Sequence, residues 1–239
     1  ITLFLGKKMY AGGALVPIGA IALSFVISLL ITLNLLQNPD QIVAQSTDWF
    51  GAFNLGILID PLAAVMLTMV SFVSLLIHIY SVGYMAHDKS KSRYFAETAL
   101  FTCAMLGLIL SDNILQMFVF WELVGLSSYL LIGFWYGKPS AASAAKKAFL
   151  TTRIGDVMFL AGIILLFSDM FTIFNGFPEN AYMLQFTEMF SHIPEIAGMN
   201  AQIFGFEVSH LTLITLLFFG GAVGKSGQFP LHVWLPDAM

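Results

Sequence analysis

Residues 12–36 carry no charged side chain. About 20 apolar residues suffice for a helix to cross the ~30 Å hydrocarbon core of a bilayer, and this run exceeds that. Inside the core every backbone N–H and C=O must be satisfied by the protein, which leaves helices and closed barrels as the spanning forms. The pattern recurs: apolar stretches cover about 62–85, 94–110, 114–135 and 149–167, and a last one begins near Val208 and runs past Lys225. Composition agrees. Of the 239 residues 58% are hydrophobic and 10% charged, against about 25% charged in a typical soluble domain, and the mean hydropathy is +0.85. The sequence therefore predicts an all-α integral membrane protein, a bundle of about six spans.

Residues 1–111 read as N-terminal transmembrane helices, a cut first helix followed by three spans, and residues 112–239 as a second group with a long external loop at 169–207. Both ends are expected to be cut: Ile1 lies inside an apolar stretch, and Met239 follows a membrane-type segment. Asp60-Pro61 is a good helix start, since Asp can cap and Pro is tolerated at the first helical position. Ser111-Asp112-Asn113 is a tight turn, so the spans on either side of it are expected to be antiparallel neighbours.

The basic residues test this layout. Lys7 and Lys8, then Lys89, Lys91 and Arg93, then Lys138, Lys146 and Lys147 fall in alternate loops. The acidic residues Asp40, Asp48, Asp112, Asp169, Glu179, Glu188, Glu195 and Glu207 lie in or beside the other loops. By the positive-inside rule the basic loops face the cytoplasm or matrix. Lysines and arginines form no dense patch, so nucleic acid is not an expected partner, whereas membrane lipid is. The single Cys103 excludes an internal disulfide and an iron–sulfur cluster held by this chain. No His, Cys or carboxylate pair has metal-ligand spacing, and no Ser–His–Asp arrangement is suggested. The chain is expected to hold neither metal nor cofactor.

The remaining charges lie inside spans. Glu122 sits about eight residues into the fourth, where a charge costs roughly 2.5–3.5 kcal/mol on insertion scales. It is either a protonated side chain bonded to a neighbouring helix or part of a proton or ion site. Lys225 lies about seventeen residues into the last span, within Gly220-Gly221-Ala222-Val223-Gly224-Lys225-Ser226-Gly227 and before Pro230. Glycine entropy and the missing proline donor predict a broken helix there, and transporters place binding sites at such breaks. A lysine snorkelling to the interface is the alternative. Arg153 and Asp156 are three apart on the fifth span and able to pair, in either a structural or a functional role. Glu97, near one interface, and His78, deep in the second span, are lesser candidates. His232, just past Pro230, is placed to link Lys225 to the basic side. Gly224-Lys225-Ser226 looks like the end of a phosphate-binding loop, but Phe219 replaces the required glycine and no strand precedes it.

Residues 120–134, Phe120-Trp121-Glu122-Leu123-Val124-Gly125-Leu126-Ser127-Ser128-Tyr129 and onward, resemble the fifth transmembrane helix of the L-type, largest antiporter-like subunit of respiratory complex I. Lys147-Ala148-Phe149 with Arg153-Ile154-Gly155-Asp156 resembles its sixth helix. Gly224-Lys225-Ser226-Gly227-Gln228-Phe229-Pro230-Leu231-His232 and the following residues to Met239 resemble its seventh, and Gly56–Pro61 the start of its third. The resemblance covers most of the chain. Gly227 departs from it, standing where alanine is more usual.

The resemblance implies an antiporter-like bundle holding most of the first of two inverted five-helix repeats. It implies a proton-translocating subunit of NADH:quinone oxidoreductase, with Glu122 and Lys225 essential, Arg153 and Asp156 in support, and no redox centre in this chain. NADH, FMN, iron–sulfur clusters and quinone would belong to partner subunits, membrane and peripheral. Large subunits of multi-subunit cation/proton antiporters share these motifs and give the alternative function; a non-transporting membrane scaffold is a second. A bacterial plasma membrane is the expected location, with mitochondrial inner and thylakoid membranes as alternatives.

Overall fold

The computed structural model describes residues 2–6, 9–38, 41–50, 53–177, 182–203 and 205–239. After a short helix α1 (Thr2–Leu5) and a 3-10 turn come α2 (Leu15–Gln37), strands β1 (Val43–Phe50) and β2 (Phe53–Ile59), and helices α3 (Pro61–Tyr84), α4 (Lys91–Leu110), α5 (Ile114–Ile132) and α6 (Pro139–Ile173). Two short helices follow, α7 (Phe186–Ser191) and α8 (Ile193–Gly198), then β3 (Asn200–Ile203), β4 (Phe206–Ser209), α9 (His210–Lys225) and α10 (Leu235–Ala238). Among the described residues, α2 to α6 are long and apolar enough to span a membrane. Their outward faces carry large exposed apolar side chains such as Leu23, Leu30, Val65, Phe72 and Ile164, as a lipid-facing surface requires.

The helices pack largely in chain order, α2 on α3, α3 on α4, α4 on α5 and α5 on α6; α9 then returns across the long connection to lie along α6. Asp60 caps α3 as the sequence predicts, its side chain accepting from Ala63 N–H at 2.7 Å ahead of Pro61. Asn113 caps α5 in the same way through Gln116 N–H at 2.7 Å. At one end of the bundle the 111–113 turn meets the first hairpin and the long connection: Asn54 donates to Asp112 at 2.6 Å, and Ile114 N–H bonds Leu184 C=O at 3.1 Å. At the other end Trp135 donates to Asp88 at 3.1 Å, and the Arg93 guanidinium bonds the Phe134 carbonyl. Lys89, Lys91, Arg93 and Lys138 cluster at this second, basic end, as the loop alternation predicts. Lys7, Lys8, Asp40 and Glu179 lie outside the described residues.

Five expectations are corrected. The segment between α2 and α3 is an antiparallel hairpin, Val43 pairing with Ile59 through to Phe50 with Phe53, rather than an open loop. The 169–207 connection likewise holds structure: α6 runs on to Ile173, and the connection adds α7, α8 and the β3–β4 hairpin. Its Met183, Leu184, Met189 and Ile196 are buried with Ile114, Phe159, Ile163, Leu166, Met170 and Ile214 in the main apolar core, and that burial orders it. Lys146 and Lys147 belong to α6, which begins at Pro139 instead of near Phe149. Val208 belongs to β4, so the last span begins at His210.

The fifth correction concerns the glycine-rich stretch. Gly220, Gly221 and Gly224 are regular helix. They serve close approach: a Cβ on Gly224 would stand 3.1 Å from the Gly155 Cα, and one on Gly155 would stand 3.0 Å from the Gly220 carbonyl oxygen. Small residues at a membrane helix interface permit such contact. The break comes just after Lys225. Gly227 adopts φ +60°, and Gln228 N–H bonds Val223 C=O at 3.0 Å, a Schellman C-cap.

Candidate functional site

The 16 residues of α9 rise about 24 Å at 1.5 Å per residue, short of the ~30 Å hydrocarbon core. Starting from the end opposite the basic loops, α9 therefore stops within membrane depth, and Lys225 is its last residue rather than a residue in the middle of a span. The ammonium lies in the last turn, where unpaired carbonyls and the helix dipole favour positive charge. Trp234 covers one of those carbonyls, donating its indole N–H to Gly224 at 3.1 Å.

Around Lys225 the structure assembles four charges from three helices. Glu122 on α5 forms an ion pair with Arg153 on α6. Arg153 Nη1 lies 3.6 Å from Asp156 Oδ2, one turn along α6. Lys225 Nζ lies 3.7 Å from the same Asp156 oxygen. The order is Glu122–Arg153–Asp156–Lys225, two acids and two bases. At these separations a unit pair interacts by about 4 kcal/mol at an effective dielectric of 20. Asp156 is the most enclosed of the four, its side chain 3% exposed against 15% for Lys225, 25% for Glu122 and 32% for Arg153.

Two residues that sequence reasoning quoted but gave no role hold this arrangement. Trp121 donates its indole N–H to Asp156 Oδ1 at 2.7 Å, and Lys225 Nζ sits 5.6 Å from the centre of the Trp121 ring. Gly125 leaves room for the ammonium: a Cβ there would stand 2.5 Å from Lys225 Nζ. A polar atom on an aromatic side chain next to Glu122 was the available signal for Trp121, but its partner on α6 is visible only in three dimensions. Glu122 and Lys225 do not pair directly among the described residues; Arg153 and Asp156 stand between them.

The surroundings are asymmetric. On the side away from the basic end, Trp121 stacks on Phe159 at 5.2 Å, and Phe159 contacts Phe118 at 5.7 Å and Phe218 at 4.9 Å. On the basic side Lys225 lines a cavity of about 180 Å³ with Gly125, Ser128, Tyr129, Thr152 and Trp234.

The other candidates lie apart from the four charges. His232 is exposed and its ring neighbour is Phe229, at 5.8 Å. Asp237 pairs with Lys147 at 2.6 Å. The structure thus gives no contact that links Lys225 through His232 to the basic side. His78 is fully buried, with Nδ1 2.8 Å from the Ser74 carbonyl oxygen. Glu97 pairs with Arg93 at 3.4 Å. Among the described residues no group of His, Cys, Asp and Glu is arranged to hold a metal ion.

A multi-pass helical membrane protein with a chain of paired charges at membrane depth, ending on a lysine where a helix stops, belongs to the antiporter-like class. Residues 111–239 match the model of the NADH:quinone oxidoreductase/Mrp antiporter transmembrane family, and the chain belongs to that family. Residues 49–95 match the N-terminal model of chain 5 of NADH-ubiquinone oxidoreductase, complex I. The chain is 72% identical over 239 residues to F(420)H(2) dehydrogenase subunit L of Methanosarcina mazei, covering all of this chain and 36% of that protein. It is 42% identical over 244 residues to NADH-quinone oxidoreductase subunit L of Neisseria meningitidis, covering 99% of this chain and 35% of that protein. A subunit in the structure of the Mrp complex from Dietzia superposes with a TM-score of 0.74 at 24% identity, over all of this chain and 23% of that one. The chain thus spans about a third of the length of the curated relatives it matches.

Proposed function

We propose that this chain is the proton-translocating part of an L-type subunit in a complex I-like oxidoreductase. The carrying observation is the Glu122–Arg153–Asp156–Lys225 array, held at membrane depth and opening toward one side. Lys225 carries the proton. Burial favours the neutral amine, and a nearby carboxylate favours the ammonium. Asp156 is shared between Arg153 and Lys225, so Glu122 acts on Lys225 through Arg153. While Glu122 holds Arg153, Asp156 is left to stabilise the charged lysine. When Glu122 is neutralised or turns to another partner, Arg153 moves fully onto Asp156, and Lys225 releases its proton.

The names of the relatives support the choice of complex. A subunit L of an F(420)H(2) dehydrogenase shares 72% identity and a subunit L of an NADH-quinone oxidoreductase 42%, so the electron donor is reduced F420 or NADH, with the first favoured. Donor binding, FMN, iron–sulfur clusters and quinone belong to partner subunits, membrane and peripheral. The location is a prokaryotic plasma membrane. The Neisseria relative supports the bacterial expectation, and the higher identity to the Methanosarcina subunit moves the preference to an organism of that kind.

Lys225→Ala in the assembled complex is expected to lower protons moved per electron while assembly is kept, and Glu122→Gln to do the same. Lys225→Arg fails too, because a guanidinium does not release its proton. Proton uptake into membrane vesicles during donor oxidation measures this, and a normal ratio with Lys225→Ala overturns the reading. The family, which joins NADH:quinone oxidoreductases with Mrp antiporters, supports a second reading, a cation/proton antiporter. Copurification with flavin and iron–sulfur subunits decides for the oxidoreductase; sodium-driven proton exchange without them decides for the antiporter.

A further inference from the structure

The Lys225 cavity has a neighbour. A second cavity of about 300 Å³, at the basic end, is lined by Arg93, Glu97, Tyr129, Gly133, Tyr136 and Lys146 among others. Lys146 and Tyr136, both exposed, stand at its mouth. The two cavities lie in one groove between α4, α5 and α6. On α4 the walls are Glu97 and, one turn deeper, Phe101; on α5 they are Gly133, Tyr129 and Gly125; on α6 they are Ala145 and then Ala148 and Thr152. Each set has the three- and four-residue spacing of a single helix face. Tyr129 lines both cavities, its ring 5.3 Å from that of Phe149.

Glu97 occupies the outer cavity in an unusual condition. Its side chain is 11% exposed. One oxygen, Oε1, faces Arg93 Nε at 3.4 Å, while the other, Oε2, is buried without a hydrogen-bond partner among the described residues. Arg93 is itself fixed by three contacts: its guanidinium bonds the Phe134 carbonyl and lies 4.6 Å and 5.0 Å from the centres of the Phe134 and Tyr136 rings. Burial of an unpaired carboxylate oxygen is costly, and this one lies in a cavity wall.

We propose that Glu97 is the proton-loading carboxylate for Lys225, taking protons at the basic end and passing them inward across Tyr129. The Glu97 carboxylate accepts a proton from water at the mouth and becomes a carboxylic acid. The acid gives that proton to water in the groove, and the neutral Lys225 amine takes it up, so Glu97 is restored and one proton has moved inward. Each cavity is several times the ~30 Å³ that one water occupies in the liquid. The aromatic group of Phe118, Trp121, Phe159 and Phe218 packs on the far side of the charges, and loading comes from the basic end. The inference rests on Lys225 being the proton carrier.

The test uses the intact complex in inside-out vesicles, with reduced F420 or NADH as donor, and reads the initial rate of dye-reported proton uptake against donor oxidation. Glu97→Gln keeps size and hydrogen-bonding capacity but loses the titrating proton, and is expected to slow proton uptake about a hundredfold or more, the range for loss of a proton-transfer group. Glu97→Asp should recover most of it. Ala142→Phe, which fills the outer cavity without touching Glu97 chemically, should slow uptake as Glu97→Gln does. Normal uptake with Glu97→Gln, alongside loss with Lys225→Ala, overturns the loading role and leaves Lys225 as carrier. Normal uptake with both overturns the carrier reading itself. Equal loss with Gln and Asp, with Ala142→Phe normal, makes Glu97 a structural partner of Arg93 and overturns the proposal.

Discussion

At Lys225 a single missing methyl group sets the geometry. A Cβ on Gly125 would lie 2.5 Å from the ammonium, so in Gly125→Ala the flexible end of Lys225 must shift from its place 3.7 Å from Asp156. The end of a lysine side chain moves at little cost in stability, so the effect falls on function. The expected outcome is an assembled complex with a near-normal melting temperature and a reduced ratio of protons to electrons; a normal ratio would show that the Lys225–Asp156 separation does not matter. A second residue-scale effect lies outside the spans. Asp88 accepts from Ser90 N–H at 2.6 Å and from the Trp135 indole at 3.1 Å. These bonds, the one from Ser90 foremost, hold its carboxyl below the ordinary carboxylate range. A depressed carboxylate contributes stability that is complete above its unfolded pKa and is lost as pH falls through the folded one. Amide exchange at Ser90, corrected for intrinsic rate, should therefore speed up as pH drops below the usual Asp range. In Asp88→Asn that pH dependence should vanish.

At the scale of elements, α6 and α9 touch backbone to backbone at Gly155 and Gly224. A Cβ on Gly224 would meet the Gly155 Cα at 3.1 Å, and a backbone atom cannot swing aside. Gly224→Ala should cost about 1–3 kcal/mol, read as a drop in thermal stability in detergent. Gly227→Ala meets the Leu235 side chain, Cδ2 at 3.3 Å and Cβ at 3.4 Å, and must hold φ +60°, which costs roughly 1–2 kcal/mol for a residue with a Cβ. These glycines mark how far the sequence could be read. Its apolar runs, the Asp60-Pro61 start and the basic-loop alternation gave the spans, because such signals are local. The glycine-rich stretch was expected to be the break itself. It is regular helix, since a glycine cost that matters in isolation is offset where a neighbouring helix needs the space. Strands β1 and β2 escaped notice because the segment was read as a polar connection, although their pairing is a local hairpin. The charges at Glu122, Arg153, Asp156 and Lys225 stood out for lying in apolar runs. Their order did not, since Trp121 and Asp156 are 35 residues apart and meet only through packing.

For the whole molecule the decisive question is which side the groove faces. The described basic segments converge at one end, where Trp135 bonds Asp88 and Arg93 bonds the Phe134 carbonyl. The hairpins and the α7–α8 segment gather at the other, joined by Asn54 to Asp112 and by Ile114 to Leu184. The positive-inside rule puts the basic end on the cytoplasmic or matrix side, and both cavities between α4, α5 and α6 lie toward that end. Cysteine labelling tests this directly. Cys103 is exposed, so it is first replaced by serine. Single cysteines are then placed at Lys89, exposed beside α4, and at Gln202, exposed in β3. A membrane-impermeant maleimide should label the Gln202 variant in intact cells and the Lys89 variant only in inside-out vesicles. The opposite pattern would turn the groove toward the outside, and Glu97 would then stand on a release path rather than a loading path. Labelling of both from one side would mean that one of the spans α4, α5 or α6 does not cross. The charge array would then no longer sit between two aqueous phases, as translocation by Lys225 requires.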